Sequence, residues 1–362
     1  MPKEPMTPVT KSFLPPLADY TAQVQRAYDN QWLTNRGELV KELEQKLSAI
    51  LGLEESQILA TNNGTTPLQI ALKVMGNGGE VITTPFSYVA TTASIVWENC
   101  TPVFVDIHPE YLTIDETLIE AAITEKTTCI LATHVYGNPC NIEAIEHIAK
   151  KHNLKVIYDA AHCFGVKYKG KSIFEYGDVS TCSFHATKLF HTGEGGALFC
   201  KDSALFDQLF YHHNFGHDGP EKFHGLGINA KMSELNAAMG LAVLPYMNQI
   251  ISARKRVVET YLELLNLENI HPLQIRNNTD WNYSYFPVLM KSEAHLLAAQ
   301  AKLAEHDIHP RRYFYPALHH LPYVTAKELP VTDHIAPRVL CLPLFMELTR
   351  TSIEQICDIV NG

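Results

Sequence analysis

Lys188 lies in Ser183-Phe-His-Ala-Thr-Lys-Leu-Phe-His-Thr-Gly-Glu-Gly-Gly196, where a strand-like stretch gives way to hydroxyl and glycine residues. Lysine is costly to bury unless it is paired or chemically used. An ε-amine held in a dry pocket sheds its proton and becomes a nucleophile toward carbonyl carbon. Taken alone, Lys188 also reads as a surface lysine on a glycine-rich turn. Four further features weigh against that reading.

The first is Thr61-Asn-Asn-Gly-Thr-Thr66, between a strand-like and a helix-like run. Gly64 permits a tight turn, and Thr65 opens a helix whose free N–H groups attract an anion such as phosphate. By itself this is also a plain turn and N-cap. The second is Asp159 in Tyr158-Asp-Ala-Ala-His162, ending an apolar run. Its carboxylate either caps a helix or pairs with a protonated ring nitrogen. His162, three residues on, supports the carboxylate or a ring oxygen, or else is a structural histidine. The third is Tyr88 in Thr84-Pro-Phe-Ser-Tyr-Val-Ala-Thr91, an aromatic able to stack on a flat heterocycle. The fourth is Ser183, a hydroxyl donor for phosphate. A phosphate cradle, an anion for a ring nitrogen, a stacking face and an imine-forming amine together match pyridoxal 5′-phosphate.

Composition narrows the field. The chain has 362 residues, 46% hydrophobic and 19% charged, with a net charge of −10. It has no basic run, so nucleic acid is not an expected partner. Eight scattered cysteines form no C-x-x-C pair, and neither a disulfide framework nor a metal site is expected. The adjacent pairs His212-His213 and His319-His320 cannot both face one metal from a regular helix or strand. Gly193-Glu-Gly-Gly196 lacks the spacing of a dinucleotide loop. Met1-Pro-Lys-Glu-Pro5 has no apolar signal core, and no apolar run approaches about 18 residues. No membrane is expected, and the cytoplasm is the expected setting.

These residues need a scaffold. From about residue 35 to 245 helix-like and strand-like segments alternate. Leu39, Val40, Leu43, Leu47 and Ile50 form a helical stripe. Helices are expected over 65–75, 89–98, 114–123 and 142–152. Strands are expected over 58–60, 80–84, 102–106, 129–135 and 155–159. Short apolar strands between amphipathic helices predict an α/β fold, a parallel sheet covered on both faces, with ligands at the strands' carboxyl ends. One long helix is expected from about 232 to 265. A smaller α+β unit follows, with a strand at 283–289 and helices at 294–306 and from 352.

Asn63-Gly-Thr, Thr84-Pro-Phe-Ser-Tyr, Tyr158-Asp-Ala-Ala-His, Ser183-Phe-His-Ala-Thr-Lys, Gly193-Glu-Gly-Gly and Asn229-Ala-Lys-Met-Ser-Glu-Leu resemble, in order and spacing, the DegT/DnrJ/EryC1/StrS family of nucleotide-sugar aminotransferases. The resemblance runs from about residue 8 to the carboxyl end. It implies the fold type I architecture of aspartate aminotransferase, with a large cofactor-binding domain over 1–245, a small domain over 246–362, and a homodimer with shared active sites. It implies Lys188 as the Schiff-base lysine, Asp159 as the pyridinium partner and His162 beside the ring and its 3′-oxygen. Gly64, Thr65 and Ser183 become phosphate binders, Tyr88 takes the stacking position, and Asn229 reaches the phosphate from the neighbouring subunit. Lys231 stands where relatives often carry arginine. It keeps the charge and loses the planar fork.

Val9-Thr-Lys-Ser-Phe-Leu-Pro-Pro and Trp32-Leu-Thr-Asn-Arg-Gly most resemble members that make 4-amino-4,6-dideoxyhexoses from dTDP-4-keto-6-deoxyglucose, with L-glutamate as amino donor and surface polysaccharide as destination. The segment from Arg312 borders the sugar site in relatives, which makes Arg312, Tyr315 and His319 expected substrate contacts. A C3-specific sugar aminotransferase, a pyridoxal-phosphate sugar dehydratase and a catalytically silent binding protein are the alternatives.

Overall fold

A strand that is buried on both faces reads as a mostly apolar run, and its odd and even residues then feed two different cores. That is the arrangement in the computed structural model, which describes residues 6–325 and 327–362. The segment Met1–Pro5, expected to lack a signal core, lies outside the described residues. Seven strands form the central sheet: β1 (Gln57–Thr61), β2 (Glu80–Thr83), β3 (Thr101–Phe104), β4 (Thr127–Thr133), β5 (Lys155–Asp159), β6 (Val179–Ser183) and β7 (Gly196–Cys200), in the order β1-β7-β6-β5-β4-β2-β3. Strands β3, β2, β4, β5 and β6 run parallel, and β7 runs antiparallel to both its neighbours.

Ten helices of nine or more residues accompany the strands among the described residues: α1 (Leu17–Asp29), α2 (Glu38–Leu51), α3 (Thr66–Met75), α4 (Val89–Trp97), α5 (Ile142–His152), α6 (Ser203–His213), α7 (Glu234–Val243), α8 (Met247–Leu264), α9 (Glu293–Glu305) and α10 (Arg350–Asn361). One sheet face packs Ile58, Ala60, Ile130, Ala132, Val156 and Tyr158 against α2, α5 and α7. The other packs Leu59, Cys129, Leu131 and Ile157 against α3 and α6. All eight cysteines are buried free thiols. No helix among the described residues is long and apolar enough to cross a membrane.

The helical stripe of α2 buries Leu39, Val40, Leu43 and Leu47 as expected, but Leu51 continues it and Ile50 is exposed. The helix expected over 114–123 is shorter, an α turn at Glu116–Ile119 followed by a 3-10 turn at Glu120–Ala122. The single helix expected over 232–265 is two. Pro245 has no N–H to give to the ladder, and the chain passes through a 3-10 turn at Leu244–Tyr246 between α7 and α8. Helix α8 starts against the first core with Met247 and Ile250. It ends in a separate core with Val257, Val258 and Tyr261. That second core is completed by α9, α10 and a three-stranded antiparallel sheet of β8 (His271–Pro272), β9 (Phe286–Leu289) and β10 (Val339–Leu342). A division near 245/246 is our proposal for the domain boundary. The opening segment crosses it, since Thr7–Pro8 pairs in parallel with Ile308–His309.

Candidate active site

The parallel strands end their chains on one edge of the sheet, and a cavity of about 440 Å³ opens there. Asn63–Thr65 follow β1, Ser87 and Tyr88 follow β2, Thr133 ends β4, Asp159 ends β5 and Ser183 ends β6. Register explains the convergence: Thr133 pairs with Asp159, and Ser183 pairs with Gly196 across from Thr61. Gly64, Thr65, Tyr88, Asp159, His162, Ser183 and Lys188 all line this one cavity.

Lys188 is carried on the loop between β6 and β7, which is braced by Ala186 N–H on Gly193 O (2.7 Å) and Thr192 N–H on Phe184 O (2.9 Å). Its Nζ lies 5.8 Å from the centre of the Tyr285 ring. Burial pushes the ε-ammonium below its ordinary range, and nearby Asp159 pulls it part of the way back. Burial raises the Asp159 carboxyl, against which the Thr91 hydroxyl (2.8 Å to Oδ2) and the Ala161 N–H (3.2 Å to Oδ1) favour the anion. His162 is held well below its usual range by burial, so its ring is neutral. Its Nδ1 accepts the Tyr136 N–H at 3.1 Å, which puts the ring proton on Nε2.

Gly64 answers a packing demand. A Cβ there would lie 2.5 Å from Ser183 Cβ and 2.6 Å from Ser183 Oγ, so only a bare glycine lets the β1–α3 turn lie against the end of β6. Asn63 Oδ1 accepts from the Thr65 and Thr66 N–H groups at 2.8 and 2.9 Å, capping α3. The Thr66 hydroxyl donates back to Asn62 Oδ1 at 2.9 Å, and Thr65 lines the cavity together with Ser183.

Other expected residues sit elsewhere. Asn229 is exposed outside the cavity, with its Oδ1 accepting from Lys231 Nζ at 2.8 Å. Lys231 Nζ also lies 4.9 Å from the Phe215 ring centre. Arg312, Tyr315 and His319 do not line the cavity. The Arg312 guanidinium turns to Glu293 (2.6 Å) and Pro337 O (2.9 Å) and stacks on Tyr315. His319 is buried against Phe104. The segment is extended where Arg311 bridges Cys341, so alternate residues face opposite ways, and Arg311 and Tyr313 line the cavity together with Phe314. The cavity is thus lined from this segment by Arg311, Tyr313 and Phe314, and not by the three expected residues.

Adjacent histidines cannot both face one metal from a regular helix or strand, and that expectation does not extend to a tighter turn. Here His319 and His320 lie on a 3-10 turn, and both Nε2 atoms reach Asp333 Oδ1, at 3.0 and 2.8 Å. Among the described residues, His319 Nδ1 is buried with no hydrogen-bond partner. Thr91 and Tyr285 were also missed. The first reads as an ordinary helix threonine and the second as core.

The profile of the DegT/DnrJ/EryC1/StrS aminotransferase family matches residues 18–361. The chain is 40% identical over 360 residues to a dTDP-4-amino-4,6-dideoxy-D-glucose transaminase of Shigella dysenteriae, with 98% of each chain covered. It is 39% identical over 369 residues to a protein of the same name from Escherichia coli, again covering 98% of each. Among solved structures it superposes on DesI, crystallised in the presence of its TDP-sugar product, with a TM-score of 0.91 and 32% identity. That match covers 99% of this chain and 93% of the other.

Proposed function

The chain belongs to the DegT/DnrJ/EryC1/StrS aminotransferase family, and from that premise we propose a specific reaction for it. It moves the amino group of L-glutamate to the C4 ketone of dTDP-4-keto-6-deoxy-D-glucose. The product, dTDP-4-amino-4,6-dideoxy-D-glucose, supplies surface polysaccharide such as O-antigen. The observation that carries this reading is Lys188 and Asp159 in one cavity with the Gly64–Ser183 contact. The names of the two relatives nearly 40% identical to the chain supply the sugar.

Pyridoxal 5′-phosphate fits the residues present. Bare Gly64 lets the turn approach Ser183 closely, and Thr65 and Ser183 line the cavity beside it with two hydroxyls suited to a phosphate. Asp159 would hold the ring nitrogen, His162 and Tyr88 would flank the ring, and Lys188 would hold the aldehyde carbon. When bound, the cofactor supplies a carbonyl for the amine and an electron-withdrawing ring for the electron pair released at the donor carbon.

The protein's own part is proton management. Lys188 Nζ, whose ammonium form burial disfavours, takes the proton from the α-carbon of glutamate. It returns one to the sugar carbon in the second half of a ping-pong cycle. A neutral His162 next to Lys188 adds no charge that would compete with Asp159. Arg311 and Tyr313 replace Arg312 and His319 as our sugar-side contacts, since they line the cavity. Tyr315, exposed and stacked on Arg312, is retained as a proposed contact.

The active unit in this proposal is a homodimer. Phe215, Phe223, Leu226 and Ile228 are exposed apolar residues on the segment that ends at Asn229. An apolar run of this kind marks a contact surface, and Asn229 would cross with it to the partner's phosphate. Eight buried thiols fit a reducing cytoplasm. The test is product analysis by mass spectrometry with glutamate and a panel of dTDP-keto sugars. An amino sugar with matching 2-oxoglutarate is expected. A deoxygenated sugar without new nitrogen, amination at C3, or no turnover at all overturns the proposal.

A further inference from the structure

Asp159 stands at the end of a file of three buried hydroxyls. Thr133 Oγ1 donates to Ser87 Oγ at 3.1 Å, Ser87 Oγ lies 2.8 Å from Thr91 Oγ1, and Thr91 Oγ1 donates to Asp159 Oδ2 at 2.8 Å. All four residues are buried. They come from four separate places: the end of β4, the loop after β2, the first turn of α4 and the end of β5.

The order of donors is not free. Each hydroxyl has one proton to give, and an ionised carboxylate only accepts. Thr91 gives its proton to Asp159, so Ser87 must donate to Thr91, and Thr133 must donate to Ser87. The three O–H dipoles therefore line up with their positive ends toward the carboxylate. In a low-dielectric interior such bonds polarise one another. Protonating Asp159 on Oδ2, toward Thr91, would turn that oxygen into a donor and require the file to reverse. The other carboxylate oxygen is fixed by the Ala161 N–H.

We propose that Thr133, Ser87 and Thr91 form a positioning relay that keeps Asp159 ionised and aimed at a cationic ring N–H. This rests on the reading that the cavity holds pyridoxal phosphate. Thr91 is a positioning residue, since it acts only through Asp159.

The test is a cofactor titration on apoprotein, followed by fluorescence, with pyridoxal phosphate and with its 1-deaza analogue, in which C–H replaces the ring nitrogen. Thr91→Val should weaken pyridoxal phosphate binding about tenfold or more, as expected for one hydrogen bond to a charged group. It should leave the analogue's affinity nearly unchanged, because the analogue has no ring proton for Asp159 to hold. Thr91→Ser restores the hydroxyl and should restore the affinity. Ser87→Ala and Thr133→Val should show the same selective loss, smaller with each step from the carboxylate, and they carry the test if Thr91→Val does not fold. Equal weakening of both ligands, or no weakening in any variant, overturns the relay. Failure of the wild-type protein to bind either ligand overturns the functional reading itself, a distinct result.

Discussion

Gly64→Ala introduces a single methyl group into the tightest contact of the site. The new Cβ would stand 2.5 Å from Ser183 Cβ, 2.6 Å from its Oγ and 2.9 Å from its Cα. Carbon atoms rest at about 3.5–4.0 Å, so the gap must open by roughly 1 Å. A rotation of the Ser183 side chain cannot provide that, because Cα and Cβ are themselves in the clash. Strand β6 is also pinned there, with Ser183 in register against Gly196. The turn must therefore lift, which strains the Asn63 cap on Thr65 and Thr66. Overpacking of this kind costs about 1–3 kcal/mol. At about 1.3 °C per kcal/mol for a chain of 362 residues, apoprotein Tm should fall by roughly 1–4 °C in scanning calorimetry. The double variant Gly64→Ala/Ser183→Gly removes Cβ and Oγ but not Cα, so it should recover part of the loss. A single variant melting with wild type, or a double variant melting below the single one, would refute the packing argument.

Three further outcomes follow from the geometry. Glu234 in α7 accepts the Leu39 and Val40 N–H groups at 2.7 and 3.3 Å, capping α2, whose own N-cap Gly37 has no side chain. Glu234→Ala strands both donors and should cost about 1.5–3 kcal/mol in urea unfolding, with no loss meaning that the cap is idle. Burial holds His134 down to about 3 and His213 down to about 4. An unfolded histidine titrates near ~6.5, so below that pH the unfolded state takes up protons that the folded state refuses. Stability present above pH ~6.5 is thus lost as pH falls toward these two values, by up to ~1.4 kcal/mol per pH unit per histidine. His213→Gln should flatten the decline measured between pH 7 and 5, and an unchanged slope would contradict the assignment. Mixed dimers of Lys188→Ala and Asn229→Ala chains should regain activity that neither homodimer has, since one site then carries both intact residues. Additive, inactive mixtures would place Asn229 in its own chain's site.

Legibility in the sequence followed how local each determinant is. Helix α5 and strand β5 have the expected bounds because each is an isolated pattern with its own ends, Asn141 capping the first and Asp159 closing the second. The long helix from 232 failed at Pro245, where the missing N–H outweighs an apolar stripe that runs on regardless. Strand β7 and helix α6 went unread because the glycines at 193–196 drew the segment toward a loop. In the site, residues tied to a strand end were readable, since a charge or hydroxyl closing an apolar run stands out. That Arg311 and not Arg312 lines the cavity was unreadable, because facing depends on a long-range bridge to Cys341. Thr91 and Glu234 act across 68 and 195 residues of sequence, and nothing local announces either bond.

Everything proposed for the reaction depends on Lys188 Nζ bonding reversibly to a pyridoxal aldehyde. The direct measurement is to load the protein with pyridoxal phosphate, reduce it with sodium borohydride, digest it and map the label by mass spectrometry. The account predicts a phosphopyridoxyl group on Lys188, and none on the Lys188→Ala protein. Unlabelled Lys188, or equal labelling of other lysines, would contradict it.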